Sequence, residues 1–350
     1  MSLEDDLTPV RAIHRFDETR LEHYLADRMP GFHWPLKIRQ FVGGQSNPTY
    51  MLETPAARFV MRKKPPGTLL QSAHQVEREF RIIKALATTD VPVPRAHILC
   101  EDADVIGTAF FVMDFVDGRI MRDPTMPDSS SHERAACYGS MNDVLARLHK
   151  VDFRAVGLGD YGRPTGYVAR QVARWSKQYE ASKTEEIPEM DRLIEWLAIH
   201  IPAADETTIA HGDYRIENII FDPSEPRVVA VLDWELSTLG HPLGDLGWVC
   251  RPYHCPPGVD GVLSFRDIHL RSPGIPREEE FVAGYCKRVG RIGVPDLMFF
   301  VAFSFFRAAA IAQGIAMRAK IGTASAPDAA KHGGRARLMA EIGWQVAQKL

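Results

Sequence analysis

Residues 209–221 read Ile-Ala-His-Gly-Asp-Tyr-Arg-Ile-Glu-Asn-Ile-Ile-Phe, and the chain soon reaches Val231-Leu232-Asp233-Trp234-Glu235. No other stretch restricts the chain as strongly. Asp213 is followed five residues later by Asn218, and a second aspartate closes the next apolar run. The intervening residues read as two short strands, Ile219–Phe221 and Arg227–Leu232, with polar groups held at their ends. Gly212 lets the backbone turn tightly just before Asp213. That order suits phosphoryl transfer from a nucleotide to a hydroxyl. Asp213 is placed to accept or hydrogen-bond the proton of the attacking hydroxyl. A carboxylate there orients the nucleophile at least as much as it deprotonates it. Asn218 offers a neutral oxygen and Asp233 a charged one, a mixture that suits Mg²⁺ completed by nucleotide phosphates. Each piece alone would be an ordinary turn or helix cap; the order and spacing together carry the reading.

The neighbours take supporting roles. His211 is read as a loop support through hydrogen bonding. Arg215 is read either as a contact to phosphate or acceptor, or as a structural ion pair. Glu235 could reach a second metal through water.

At 350 residues the chain is long enough for two lobes, each with its own core. A formal net charge of −3 gives no reason to expect a nucleic-acid partner. The five cysteines are scattered and odd in number, which argues against a disulfide framework and for a reducing compartment. The N-terminus, Met-Ser-Leu-Glu-Asp-Asp, is acidic and has no apolar h-region, so no signal peptide is expected and the cytoplasm is the expected location. Cys250, His254 and Cys255 lie close together but lack a second ligand pair at matching spacing, so zinc is not expected. The most apolar segment, Leu297–Met317, is interrupted by Arg307 and Gln313. A charge near the centre of a membrane span is costly, so a buried helix is expected and no membrane partner.

The first part of the chain reads as a small sheet with one helix. Strands are expected at Ile38–Val42, Thr49–Glu53, Arg58–Lys63, Ile98–Glu101 and Thr108–Asp114. The helical period of Leu70, Ala73, Val76, Phe80, Ile83 and Leu86 predicts a helix over Leu69–Ala87. The rest is mostly helical, with candidates at His132–Lys150, Tyr167–Ala181, Met190–His200, Arg277–Gly290, Pro295–Ile321 and Asp328–Lys349. Pro252–Pro276 is rich in Pro and Gly and reads as a mobile or acceptor-side loop. The expected division is 1–117 for a nucleotide-binding lobe and 118–350 for a catalytic and acceptor-binding lobe.

The first lobe should supply the phosphate contacts. Gly43-Gly44-Gln45-Ser46-Asn47 lies between two strands, where its N–H groups and the Ser46 hydroxyl could bond phosphate oxygens. It is not a Walker A loop, since Gly-Lys-Ser/Thr is missing. Alternation along the third strand places Val60, Arg62 and Lys64 on one face. Val60 would then line the base pocket, and Arg62 or Lys64 would face the phosphates. Glu77 or Glu79, on the following helix, could pair with that cation.

Taken together, His211 to Asn218, Leu232-Asp233-Trp234-Glu235 and Gly240-His241-Pro242-Leu243-Gly244-Asp245-Leu246 resemble the aminoglycoside phosphotransferase and choline-kinase-like group of small-molecule kinases. Phe59-Val60-Met61-Arg62, Glu77-Arg78-Glu79-Phe80 and Val91-Pro92-Val93-Pro94 extend the resemblance into the first lobe. It implies an α+β, bilobal protein-kinase-like fold that takes ATP or GTP with Mg²⁺ and a small-molecule hydroxyl acceptor. It places the phosphate-binding cation on Arg62, where the family has lysine, and its partner on Glu79. Arg keeps the charge and forks onto two oxygens, but it is bulkier. The resemblance also sets a hinge at Met113–Val116, with the Asp114 carbonyl and Val116 amide reading the base edge, and makes Asp245 a brace for the catalytic loop. The wording Val-Met-Arg-Lys-Lys-Pro-Pro-Gly, Asp233-Trp234-Glu235 and Arg307…Gln313-Gly314…Arg318 is most similar to kinase-like domains associated with acyl-CoA dehydrogenases, which implies a hydroxyacyl-CoA-like acceptor. Phe299, Phe300, Phe303, Phe305 and Phe306, beside Arg307 and Arg318, suit an acyl chain and an anion better than a polycationic aminoglycoside. Two other readings remain: a catalytically silent nucleotide-binding module, and an aminoglycoside- or choline-type kinase. Asp-Trp-Glu in place of Asp-Phe-Gly, with no Ala-Pro-Glu after it, speaks against a protein kinase.

Overall fold

The structure is a computed structural model that describes residues 6–42, 47–65, 75–322 and 329–350. It forms two compact units: Met1–Arg119 with Val229–Glu235, and Ile120–Val228 with Leu236–Leu350.

In the smaller unit the elements run β1 (Leu7–Thr8), α1 (Glu18–Arg28), β2 (Lys37–Phe41), β3 (Thr49–Glu53), β4 (Arg58–Lys63), α2 (Val76–Leu86), β5 (Ala96–Cys100), α3 (Ala103–Ile106) and β6 (Phe110–Asp114). The strands form an antiparallel sheet in the order β1-β2-β3-β4-β6-β5. β4 is an inner strand, with Arg62 opposite Thr49 on one side and Phe111 on the other. Its alternation divides two environments. Phe59 and Met61 join Tyr50, Leu52, Phe110 and Val112 in a core closed by Leu21 and Leu25 of α1. Val60 and Arg62 point the other way, where Phe80 of α2 meets Phe111 edge-on with ring centroids 6.1 Å apart. α1 is a helix the sequence reading did not anticipate. It buries only Leu21 and Leu25, too sparse a stripe to stand out, and it starts where Asp17 accepts from the Arg20 N–H.

The remaining elements are β7 (Arg119–Ile120), α4 (Ser131–Lys150), α5 (Tyr167–Ser182), α6 (Pro188–Ile199), β8 (Thr208–Ala210), β9 (Ile219–Phe221), β10 (Val228–Val231), β11 (Thr238–Gly240), α7 (Pro242–His254), α8 (Ile268–Arg271), α9 (Glu278–Val289), α10 (Leu297–Lys320), α11 (Ala329–Gly333) and α12 (Ala336–Ala347). β8 and β11 pair antiparallel, with Thr238 opposite Ala210. α10 is the core helix of the larger unit and packs against α5, α7 and α12. By length and composition it could cross a membrane, yet 78% of its most apolar window is buried within the protein. Phe299, Phe300, Phe303, Phe305 and Phe306 are all part of that packing. They fill the interior rather than an open acyl pocket.

Three expectations change. The helix expected over Asp328–Lys349 is two helices, α11 and α12. The Pro/Gly-rich stretch 252–276 is tied down. Pro252 completes the last turn of α7, the Phe265 N–H donates to Pro252 O at 2.8 Å, and Ser264 Oγ donates to Cys255 O at 2.7 Å. α7 itself was hidden by the turn-like Gly-His-Pro-Leu-Gly spelling at its start. Pro242 occupies the first helical position, where its missing N–H costs nothing, and His241 Nδ1 caps the Leu243 N–H.

Candidate active site

In the larger unit, β8 delivers His211-Gly212-Asp213. Gly212 has φ +84°, and a Cβ there would lie 2.7 Å from the Leu236 carbonyl oxygen, so glycine is required twice over. Asp245, in the first turn of α7 and 1% exposed, accepts from the backbone N–H groups of His211 (2.7 Å) and Gly212 (2.8 Å). His149 of α4 sits 3.3 Å from the same carboxylate and is itself bonded through Nδ1 to the Tyr285 hydroxyl of α9. Burial alone would raise the Asp245 pKa, but His149, His211 and the Gly212 N–H outweigh it and hold the group below the usual carboxylate value. Tyr214 adds another tether by donating to Met141 O at 2.8 Å. Three helices therefore fix the position of the loop.

The loop fixes Asp213 in turn. The Trp248 indole Nε1–H donates to Asp213 Oδ1 at 2.9 Å, and the Asn218 amide nitrogen donates to Asp213 Oδ2 at 3.1 Å and to Asp213 O at 3.0 Å. Both carboxylate oxygens are thus oriented, each with a lone pair remaining for a hydroxyl. Because Asn218 spends its nitrogen on Asp213, its carbonyl oxygen is the atom suited to a cation. His211 Nδ1 accepts from the Asp213 N–H at 3.2 Å, which is the supporting geometry expected of it. Arg215 lies 3.4 Å from Asp213 and 3.5 Å from Glu217, a partly exposed ion pair.

In the smaller unit, β4 and α2 make a buried charge cluster. Arg62, 7% exposed, is paired with Glu79, 1% exposed. The same guanidinium reaches Asp233 at 3.3 Å and Glu235 at 4.0 Å. Lys64 turns instead to Glu77 at 2.9 Å, so the two alternatives for each partner resolve into parallel pairs. One guanidinium thus faces three carboxylates. Burial raises the Glu79 pKa to about 7 against the pull of Arg62, with Asp233 and Glu235 pushing the same way. Asp233 itself has a left-handed backbone, φ +65°. Such conformations in non-glycine residues concentrate at functional sites. An anionic surplus around hard carboxylate oxygens fits a divalent magnesium ion. Among the described residues no group of three His, Cys, Asp or Glu side chains is gathered closely enough to hold a metal by itself. A nucleotide's phosphates would have to supply the missing ligands.

The remaining expected nucleotide contacts are placed as follows. Val60, 8% exposed, shares the Arg62 face of β4. Asp114 ends β6, its side chain on His97 at 2.6 Å and its N–H on Arg95 O at 2.9 Å, and Val116 follows two residues later. Ser46 and most of the Gly-Gly turn lie outside the described residues. A cavity of about 390 Å³ between α4 and α9 contains none of the expected site residues.

The sequence reading missed Trp248 and Arg251. Both follow Asp245 on α7 at three-residue steps, so a helix recognised there would have put all three on one side. Arg251 lies over the Trp248 ring, 3.9 Å from its centroid, and Arg307 approaches the same ring at 4.7 Å.

The chain is similar to known proteins. A family model described as the phosphotransferase enzyme family matches residues 37–283. Acyl-CoA dehydrogenase family member 10 of Mus musculus is 45% identical over 343 residues, covering 97% of this chain and 32% of the mouse protein. The chain spans less than half the length of the first curated relatives it matches. The crystal structure of a Ralstonia eutropha JMP134 protein, provisionally described as an aminoglycoside phosphotransferase, is 50% identical, with a TM-score of 0.86 over 96% of this chain and 99% of that one. An aminoglycoside phosphotransferase in ternary complex with AMP-PNP and hygromycin B, 15% identical, shares the fold at a TM-score of 0.59 over 93% of this chain and 99% of that one.

Proposed function

This chain belongs to the phosphotransferase enzyme family, and on that premise we propose that it moves the γ-phosphate of ATP or GTP to a hydroxyl of a hydroxyacyl-CoA-like small molecule. The observation that carries the reading is Asp213, each of whose carboxylate oxygens has its own donor, on a loop braced by Asp245. Such a carboxylate can receive an acceptor hydroxyl without first reorganising. In the proposed reaction Asp213 aligns that hydroxyl and takes its proton as the new O–P bond forms and the bond from the γ-phosphorus to the β,γ-bridging oxygen breaks, releasing ADP or GDP. Arg62, held by Glu79, supplies positive charge to the nucleotide phosphates. Asn218 and Asp233 are the proposed magnesium ligands, by their order in the motif and the oxygen each can offer. Magnesium, when bound, neutralises charge on the transferring phosphate. Ser46, Val60, Asp114 and Val116 are proposed for the covering turn and the base pocket, within a nucleotide-binding lobe of residues 1–117.

Support for an acyl-CoA-like acceptor comes from the mouse relative, named for acyl-CoA dehydrogenases. The charge around Asp213 adds to it. Arg215, Arg251 and Arg307 are all close enough to act electrostatically with Asp213 or with one another. A polycationic aminoglycoside would be repelled there. The test is a transfer assay with ATP and GTP on hydroxyacyl-CoA, choline and aminoglycoside acceptors, run with the wild-type protein and Asp213→Asn. Transfer to hydroxyacyl-CoA by the wild type alone is expected. Nucleotide binding without transfer to any acceptor would favour the silent module instead.

A further inference from the structure

Arg251 and Arg307 are poorly explained by the larger unit's own stability. Arg307 is 9% exposed, its Nε–H has no hydrogen-bond partner, and neither arginine pairs with a carboxylate among the described residues. Both guanidiniums lie over Trp248, and Arg307 also sits 5.5 Å from the Trp175 ring. Aromatic faces offset only part of the cost of burying a cation, and two like charges beside one ring repel. Burial depresses the Arg251 pKa to about 10, with Arg307 and Arg215 adding to that while Cys255 and Asp213 oppose it. The indole N–H of the ring that both cations approach donates to Asp213 Oδ1. Surplus positive charge is therefore concentrated one side chain away from the proposed hydroxyl-binding carboxylate.

We infer that Arg251 and Arg307, arranged on Trp248, form an acceptor subsite for an oxyanion, a carboxylate or a phosphoryl group, which brings the acceptor's hydroxyl to Asp213. The inference rests on the phosphotransferase reading for the role of Asp213, but the subsite can be detected without turnover. Arginine suits the task because its planar fork matches either oxyanion. Trp248 acts as a positioning residue that links anion capture to the orientation of Asp213.

The test uses the full chain with ¹⁵N-labelled tryptophan. The Trp248 indole cross-peak is assigned by its loss in Trp248→Phe. Inorganic phosphate and acetate are titrated separately, with AMP-PNP and Mg²⁺ present so that the nucleotide's phosphate positions are filled. A saturable Trp248 shift is expected with at least one oxyanion, and the one that saturates identifies the acceptor group. Its apparent Kd should weaken at least about tenfold in Arg251→Gln and in Arg307→Gln, and recover in part with Lys at either position. In a second sample carrying ¹⁵N-labelled arginine, the Arg307 Nε–H resonance, assigned by its loss in Arg307→Gln, gives a second readout on the wild-type protein. No saturable shift at either resonance, or a shift unaffected by both Gln substitutions, overturns the subsite. Failure of AMP-PNP to raise the melting temperature, with the Trp248 response intact, would instead count against the phosphotransferase reading.

Discussion

At the scale of single residues, Arg62 lies on the side of β4 that alternation expected and meets three carboxylates there. Its place on β4 was legible, because a period of two puts Val60 and Arg62 on one face. Its service to three carboxylates was not, since Asp233 and Glu235 are far away in the chain. Arg62→Ala leaves Glu79 buried without its cation, and chemical denaturation should show a loss of about 3–5 kcal/mol. Adding Glu79→Gln should restore part of that loss; a double variant as unstable as the sum of the singles would contradict the pairing. For Asp213, substitution by Asn keeps the shape but removes the proposed proton acceptor and turns an NH2 towards either the Trp248 or the Asn218 donor. We expect turnover to fall by about 10²–10⁴-fold with nucleotide affinity little changed, measured by steady-state kinetics and calorimetry.

Elements set how much freedom those residues have. The proposed catalytic loop owes its shape to α7, which supplies Asp245 and Trp248, and to α4, which supplies His149 and the Met141 carbonyl. Gly212→Ala should destabilise the protein by at least about 1 kcal/mol, from the left-handed backbone alone, and the Leu236 carbonyl adds a clash. A melting temperature equal to wild type would show that the loop relaxes freely. The N-terminus of α7 carries a pH dependence as well. His241 is buried, stacks on Phe300 with ring centroids 4.5 Å apart, and caps the helix through an unprotonated Nδ1. Burial lowers its pKa below 6.5. The stability it contributes is complete above the unfolded-state value and is lost as pH falls through the lower folded value. His241→Asn keeps an N-cap acceptor and cannot titrate. Between pH 7.5 and 5 the wild type should lose stability relative to this variant, and parallel pH profiles would rule the effect out.

The smaller unit is discontinuous at the scale of the whole molecule. Val229–Glu235 belongs to it, with the Val231 N–H on Pro92 O at 2.9 Å and Asp233 and Glu235 beside Arg62. A fragment ending at Arg119 lacks those partners and should give a poorly dispersed amide NMR spectrum; a native-like spectrum would mean the later segment is dispensable. The full chain should gain stability from AMP-PNP with Mg²⁺, by about 2.7 kcal/mol when the ligand stands at a hundredfold its Kd. Strands such as Thr49–Glu53 and Arg58–Lys63 were legible to the residue because alternation and bounding Pro or Gly are local signals. α1 and α7 were not. One has a thin apolar stripe, and the other begins in residues that also spell a turn.

Sequence alone determined the family and, with it, the fold. Phosphoryl transfer needs an acid, an amide and a second acid in a set order, and a kinase-like chain keeps them within a short span, where spacing is readable. Tertiary structure decided which charges compensate one another. Glu79 rather than Glu77 on Arg62, Trp248 on Asp213, and Arg251 with Arg307 on one indole ring all depend on side chains from separate elements meeting in space. Coulomb and hydrogen-bond energies fall off over a few ångströms, a distance that separation along the chain does not report.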